Sequence, residues 1–423
     1  MTQPLTAVLL GAGLRGADAY GPYALAFPDE LNFVAVAEPD PIRRKRFAAA
    51  HEIPSEQQFA TWEEVLALPQ IADAVFNCTM DHMHYNSGMA ALDQGYSMLL
   101  EKPMANSLSE TVDLVNAAEE NGRLLQICHV LRYTPFFSTL HDILQSGRLG
   151  DIVTVEHREN VAFWHMAHSF VRGNWRSELQ SSPMILAKCC HDLDLLIWNL
   201  QVPVKRLQSF GSLRHFRAEN APEGAARRCT DNCPAAVTCP FDARRIYLNM
   251  YNEGWPVSAI SSDLSLEGRQ HALAHGPYGR CVYFTDNSVV DNQTVNMEFA
   301  DGTTVVLFMN GHSYQEGRTM RYDGTRATLR GTFMGEIGAI EIHDHLTGRR
   351  EEIDIPATDG TGHGGGDFGV VRSFVEAMNG REQAMTDART SLESHLMAFA
   401  AEHSRHNYIV VDMDIFRSQA VGG

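Results

Sequence analysis

"TAVLLGAGLRG", residues 6–16, is a short apolar run ending in glycines, with Gly11, Gly13 and Gly16 in G-x-G-x-x-G spacing. Such a run reads as a buried strand that feeds a tight turn and a helix. The three glycines permit the turn, a close backbone approach to a pyrophosphate, and tight helix–strand packing. Leu14 and Arg15 fall in the turn, where the helix N-terminus would face the phosphates. Glycine-rich turns are common, so the motif gains its weight from the next strand. "LNFVAVAEPD" (31–40) is that second strand, ending at Glu38, where a carboxylate takes the ribose hydroxyls of NAD and repels a 2′-phosphate. Arg43 and Arg44 keep NADP open, because they read either as a solvated helix face or as contacts to the adenosine phosphate region.

Outward from this point the first hundred or so residues alternate strand and helix patterns. "IADAVFNCTM" (71–80), "YSMLLEKP" (96–103) and "RLLQICHVL" (123–131) continue the strands. Between the last two, Ser107 and Glu110 have capping-box spacing and Gly122 can end the helix. This alternation predicts a parallel sheet with crossover helices over residues 1–130. After about residue 150 the strands lengthen and alternate. "VNMEFADGTTVVLFM" (295–309) reads as a hairpin turning at Asp301-Gly302, and "AIEIHDHLTGRREEIDI" (339–355) as another. Two late helices, "GHGGGDFGVVRSFVEAMNG" (362–380) and "ARTSLESHLMAFAAEHS" (388–404), precede an apolar terminal strand, "NYIVV" (407–411). The expected fold class is α/β: an N-terminal Rossmann-type parallel sheet, then an α+β domain over 131–423 with a mainly antiparallel sheet. No linker marks the boundary near 130, so a broad shared interface is expected.

The chain has 423 residues, 44% of them hydrophobic, which allows two or three domains with substantial cores. A formal charge of −18 argues against nucleic acid or anionic lipid as a partner. No apolar stretch approaches the ~20 residues that span a bilayer, and the N-terminal run lacks a basic flank. A cytoplasmic location is expected, where eight cysteines serve as thiols or metal ligands rather than structural disulfides.

Three further segments carry a specific resemblance. "TMDHMHY" (79–85) comes after the third clear strand, "LLEKPMA" (99–105) ends the next, and "KCCHDLDLLIW" (188–198) opens a helix. With "GAGLRG" and "AEPD", they resemble the Gfo/Idh/MocA family of dinucleotide-dependent oxidoreductases, which act largely on sugars, inositols and related polyols. The resemblance covers nearly the whole chain. It implies that Thr79, Asp81 and His84 lie at the nicotinamide side, although Met80 replaces the usual proline. It places Glu101, Lys102 and Pro103 on the family's E-K-P element, with the lysine toward substrate and nicotinamide. His191 and Asp194 match the histidine and last aspartate of D-x-G-x-H-x-x-D. The first aspartate of that motif is Ala187 here, followed by Lys188, which leaves Lys188 or Asp192 to supply the polar contact.

Oxidising a secondary alcohol needs a base for the hydroxyl proton while hydride leaves, a role suited to histidine. A nearby lysine stabilises the developing alkoxide. His191 is therefore read as general base and acid, and Lys102 as its electrostatic partner. Substrate contacts are assigned by location. Arg132 and Tyr133 end "CHVLRY" (128–133). Trp164, His165 and Trp175 lie in "FWHMAHSFVRGNWR" (163–176), read as a loop. His363 and Asp367 lie in "GHGGGD" (362–367), read as a tight loop at the cleft. Two other functions stay open: a redox-neutral glycosidase that oxidises the sugar transiently and recycles NAD, and a non-catalytic NAD-binding sensor. A homodimer or homotetramer is expected by analogy with the family.

"RCTDNCPAAVTCPF" (228–241) packs Cys229, Cys233 and Cys239 into an insertion-like segment near 215–285, and Cys281 comes later in "GPYGRCVYF" (276–284). Four thiolates from two loops suit a tetrahedral structural zinc. The C-x3-C-x5-C spacing departs from C-x2-C knuckles, so packed thiols, an iron–sulfur cluster or a disulfide stay open.

Overall fold

The computed structural model describes residues 3–335, 337–358 and 362–421. The opening apolar run forms β1 (Leu5–Leu10), buried along nearly its whole length. It is followed by β2 (Leu31–Ala37), β3 (Gln58–Phe59), β4 (Ala74–Asn77), β5 (Ser97–Leu100) and β6 (Leu125–Ile127). These pair in parallel, in the order β3-β2-β1-β4-β5-β6. The strand order reverses between β1 and β4, and ligands of open parallel sheets bind outside the carboxyl ends at such a point. Gly11, Glu38, Asn77 and Glu101 all stand at those ends, on four neighbouring strands.

The second half builds a nine-stranded sheet from β7 (Ile152–Ala162), β8 (Val204–Ser212), β9 (Asn292–Phe299), β10 (Thr304–Ser313), β11 (Gly317–Gly324), β12 (Ala327–Met334), β13 (Ile337–Asp344), β14 (Arg350–Ile353) and β15 (Val411–Asp412). Its order is β14-β13-β12-β11-β7-β10-β9-β8-β15, antiparallel except for the β7–β10 pair. The β9–β10 hairpin turns at Gly302, whose φ of +90° suits glycine. Helices Cys190–Leu200 and Ala388–Asn407 bury their apolar sides in the core that also takes Val155, Val161 and Leu307 from the sheet. Among the described residues, no helix is long and apolar enough to cross a membrane.

Three expectations are corrected. The chain does not end in a strand: Tyr408 turns left-handed (φ +59°), only Val411 and Asp412 pair with β8, and a helix comes next at Met413–Val421. Asp412 caps that helix, its Oδ1 accepting the N–H groups of Asp414 and Ile415. Second, "FWHMAHSFVRGNWR" is mostly helical rather than a loop: Phe163–His165 continues into a π-helical stretch, Met166–Arg172, buried at every position. Third, the first domain is not made of residues 1–130 alone. Val370, Val371, Phe374 and Val375, on helix Gly366–Met378, share one core with Leu9, Phe33 and Phe76 of the first sheet.

Candidate active site

The glycine turn is shaped by contacts on two of its three glycines. Gly11 has φ +89°, and a Cβ there would stand 2.5 Å from the Cys78 carbonyl oxygen. A Cβ on Gly16 would lie 2.1 Å from the Gly11 oxygen and 2.9 Å from Leu9 Cδ1. Gly13 is different. Its φ of −81° is open to any residue, and a Cβ would meet nothing within 4 Å. The fold does not need glycine at that position; a pyrophosphate lying against the backbone does. Glu38 is buried beside the same turn, with Oε2 accepting the Ala12 N–H (2.8 Å) and Oε1 the Asp40 N–H (2.9 Å). The carboxylate is thereby held at the loop with lone pairs to spare. These residues fit a bound dinucleotide. Leu14, more than a third exposed, lies at the rim.

Arg15 reaches across the layer. Its Nε donates to Glu101 (2.6 Å), and its NH2 donates to Asp367 (2.8 Å) and the Tyr20 hydroxyl (2.6 Å). Tyr20 in turn donates to Glu101. Burial pulls the Glu101 carboxyl up, but Arg15, then Lys102 and the Tyr20 bond, outweigh it and leave it below the usual carboxylate range. Glu101, Asp367 and Arg15 are thus engaged with one another, and His363, near-half exposed, adds its Nδ1 to the Arg15–Asp367 pair at 3.1–3.2 Å. His84 is also engaged: Nδ1 lies 2.7 Å from the Pro103 carbonyl and Nε2 3.1 Å from that of Thr79. It ties the Thr79–Tyr85 segment to the Glu101–Pro103 segment instead of facing open space. Thr79 donates its hydroxyl to Asn77 at the end of β4 (2.8 Å). Asp81 accepts the Trp175 indole N–H at 3.0–3.1 Å, joining the two halves of the molecule.

Lys102 reaches across to the segment that carries His191. Lys102 Nζ donates to the carbonyl oxygen of Ala187 (2.9 Å). His191, second residue of its helix, is 7% exposed, and its Nδ1 is sealed from solvent with no hydrogen-bond partner among the described residues. Burial, then the charge of Lys102, then His129 and Arg318, hold this imidazole well below its ordinary pKa. His129 was not singled out by sequence. It is buried, its ring centre stands 5.7 Å from that of His191, and among the described residues neither of its nitrogens has a hydrogen-bond partner.

Beneath His191 lies a set of buried charges. Asp192 accepts from Arg318 Nε (2.8 Å) and lies 2.8 Å from His157 Nε2. Arg318 NH2 stands 2.6 Å from Glu159 Oε2, and Lys188 Nζ bonds Glu316 (3.0 Å) at 3.5 Å from Glu159. Glu316 Oε1 also lies 2.9 Å from His165 Nδ1. Burial pushes the Glu159 carboxyl up to about 7 against the pull of Arg318 and Lys188. Lys188 and Asp192, expected to contact substrate, are bound into this network. Two other expected contacts are engaged elsewhere. Arg132 closes a buried bidentate pair with Asp194 (2.6 and 2.7 Å), and the Tyr133 hydroxyl bonds Gln126, Ser373 and Thr386. Trp164 remains half-buried in the cleft wall, stacked on His165 and tilted against Trp255. The missed residues had a legible signal. Val155, His157, Glu159 and Val161 alternate on the buried face of β7, and a histidine and a glutamate at inward positions of a strand mark a polar interior.

The four insertion cysteines line a different cavity, one that shares none of the residues above; all are free thiols.

Comparison with known proteins agrees with this architecture. Residues 5–129 match the oxidoreductase family's NAD-binding Rossmann fold, and residues 142–411 its C-terminal alpha/beta domain. YteT of Bacillus subtilis is 22% identical over 367 residues, 81% of each chain. Trans-1,2-dihydrobenzene-1,2-diol dehydrogenase of Bos taurus is 29% identical over 161 residues, 38% of this chain and 47% of that one. The scyllo-inositol 2-dehydrogenase (NADP(+)) IolW of Bacillus subtilis is 28% identical over 149 residues, 35% of this chain and 39% of its own. Among solved structures, an oxidoreductase from Agrobacterium radiobacter in complex with NAD+, L-tartaric acid and magnesium shares the fold at TM-score 0.69 and 15% identity, covering 98% of this chain and 99% of that one. The WlbA dehydrogenase from Chromobacterium violaceum, with NADH and UDP-GlcNAcA, does so at TM-score 0.68 and 16% identity, covering 97% and 96%. Matched in both halves, the chain belongs to the Gfo/Idh/MocA family of oxidoreductases.

Proposed function

We propose that the protein is an NAD-dependent dehydrogenase that oxidises a secondary alcohol of a sugar, glycoside or cyclitol. The observation that carries this reading is a buried imidazole, His191, on the segment that Lys102 reaches through the Ala187 carbonyl, with burial and then the charge of Lys102 lowering its proton affinity. NAD, when bound, supplies the hydride acceptor. Its binding falls to the Gly11–Gly16 turn and to Glu38, whose carboxylate favours NAD over NADP. His191 takes the hydroxyl proton at Nε2, since Nδ1 is sealed inside the fold. Lys102 stabilises the alkoxide as it forms, its Nζ donating to the Ala187 carbonyl and, among the described residues, to no carboxylate. Trp164 offers an aromatic face to a sugar ring, and His165 is held beside it by Glu316. The two dehydrogenases to which the chain is similar over part of its length act, by their names, on a diol and on an inositol, which supports the same substrate chemistry here.

The test is a screen of inositols, aldoses and aryl glucosides with NAD and with NADP, following both reduced cofactor and released aglycone. Reduction of NAD by at least one polyol is expected. Aglycone release without net reduction would instead identify a redox-neutral glycosidase. Silence from every polyol, with NAD binding intact, would leave only a sensor.

A further inference from the structure

We propose that Cys229, Cys233, Cys239 and Cys281 bind one structural zinc ion, which clamps the 215–285 insertion onto the wall of the substrate cleft. All four thiols line one cavity, together with Arg172, Phe241, Val282 and Tyr283. Its interior of about 20 Å³ has room for a single water-sized particle. That suits one ion.

The backbone prepares the site. Cys229 N–H donates to the Gly279 carbonyl and Cys281 N–H to that of Arg227, both at 2.9 Å, so the two segments run side by side as an antiparallel bridge.

A second observation points to an anion in the same place. Arg172 is fully buried, and among the described residues no carboxylate pairs with it. Its Nε donates to the Arg280 carbonyl (2.7 Å), and its NH2 to the Phe241 carbonyl (2.7 Å) and toward Cys229 Sγ (3.6 Å). Among the described residues its NH1 has no hydrogen-bond partner. Each of these three acceptors belongs to a cysteine-bearing segment. A buried guanidinium without a counter-ion is costly. Zinc held by four thiolates carries two net negative charges, and Arg172 lies against it. Asp242, the carboxylate in the lining, is already bound to Arg244 at 2.7 Å.

The sulfurs must still close on the ion. Tetrahedral zinc–thiolate bonds of about 2.3 Å place sulfurs roughly 3.8 Å apart. Among the described residues the one trio of ligand atoms within 4.8 Å is Glu178, Glu402 and His406, whose charge is met by Arg405, not the cysteines. Cys229, Cys233 and Cys239 are only half-buried, and the proposed site requires their side chains to rotate toward one another. The clamp bears on the cleft because the insertion carries Tyr247 and Trp255. The Tyr247 hydroxyl bonds His168 (2.8 Å), and Trp255 packs on His165 and Trp164 with ring centres 4.7 and 5.1 Å away.

The experiment is metal analysis of the full-length protein purified without chelators. About one zinc per chain is expected, with little or none in Cys233→Ser and Cys239→Ser, and with NAD binding preserved in both as the check on folding. Cobalt substituted for zinc should give the strong visible absorption and sulfur-to-metal charge-transfer bands of a tetrahedral thiolate site. Zinc should also slow the reaction of these thiols with a thiol reagent. Metal-free protein whose thiols react equally with and without added zinc overturns the proposal. So does iron with acid-labile sulfide, or zinc retained in both serine variants.

Discussion

An ammonium bonded to a neutral carbonyl has no counter-charge at that bond, whereas a carboxylate partner would offset its field. Lys102 has the carbonyl of Ala187 where the family motif would put an aspartate, and its undiminished charge is one reason why His191 binds a proton poorly. With His191 as the base, the acid limb of kcat/KM lies below the ordinary imidazole value of about 6.5. Lys102→Ala should lower kcat by about 10²–10³-fold, and the acid limb of the residual activity should move to lower proton concentration, that is, to higher pH, because removing the cation raises the proton affinity of His191. NAD affinity, read by titration, should stay nearly constant. Lys102 and His191 were legible in the sequence because residue type and motif spacing agree there. Arg132 misled for an equally physical reason. Proximity to the cleft does not say whether a guanidinium is free, and this one is held by Asp194, the motif's own last aspartate.

The glycine turn, as an element, separates what the fold needs from what a ligand needs. Gly13→Ala should leave the melting temperature unchanged, because nothing lies within 4 Å of the new Cβ. It should weaken NAD binding by at least about tenfold, the equivalent of ~1.4 kcal/mol. Gly16→Ala should destabilise by about 1–3 kcal/mol or more, since its Cβ would meet the Gly11 oxygen and Leu9. Calorimetry paired with cofactor titration distinguishes the two, and equal effects on stability would refute the assignment. Strands and turns of this kind were readable from apolar period and glycine position. The helix at Phe163–Arg172 was not, because its histidines and tryptophan look like loop residues until the insertion is seen to bury them.

Over the whole molecule, buried histidines set the response to acid. Burial lowers His129 to about 4, His168 to about 3 and His395 to about 3, with nearby cations and histidines adding to the effect. Unfolded, each takes a proton near 6.5, so between that value and about 4 the unfolded chain binds more protons. The stabilisation is complete above about pH 6.5 and is lost as pH falls toward the folded values. Each histidine contributes a slope of about 1.4 kcal/mol per pH unit. Glu159, held up to about 7, opposes this by one proton. The melting temperature should therefore drop steadily from pH 6.5 to 4.5; a flat profile would contradict the burial of these rings. The two-domain plan was legible from alternating elements, but the partnership of helix Gly366–Met378 with the first sheet was not, because no local pattern says which sheet a late helix will cover. That partnership has a consequence for synthesis. The strands made first cannot bury Leu9, Phe33 and Phe76 until residues 366–378 leave the ribosome, tens of seconds later at about 5–20 residues per second. The nascent nucleotide-binding layer thus waits open, with an apolar face that chaperones can hold. A fragment ending near residue 134 should aggregate when expressed alone, and co-expressing a segment that spans that helix should restore its solubility.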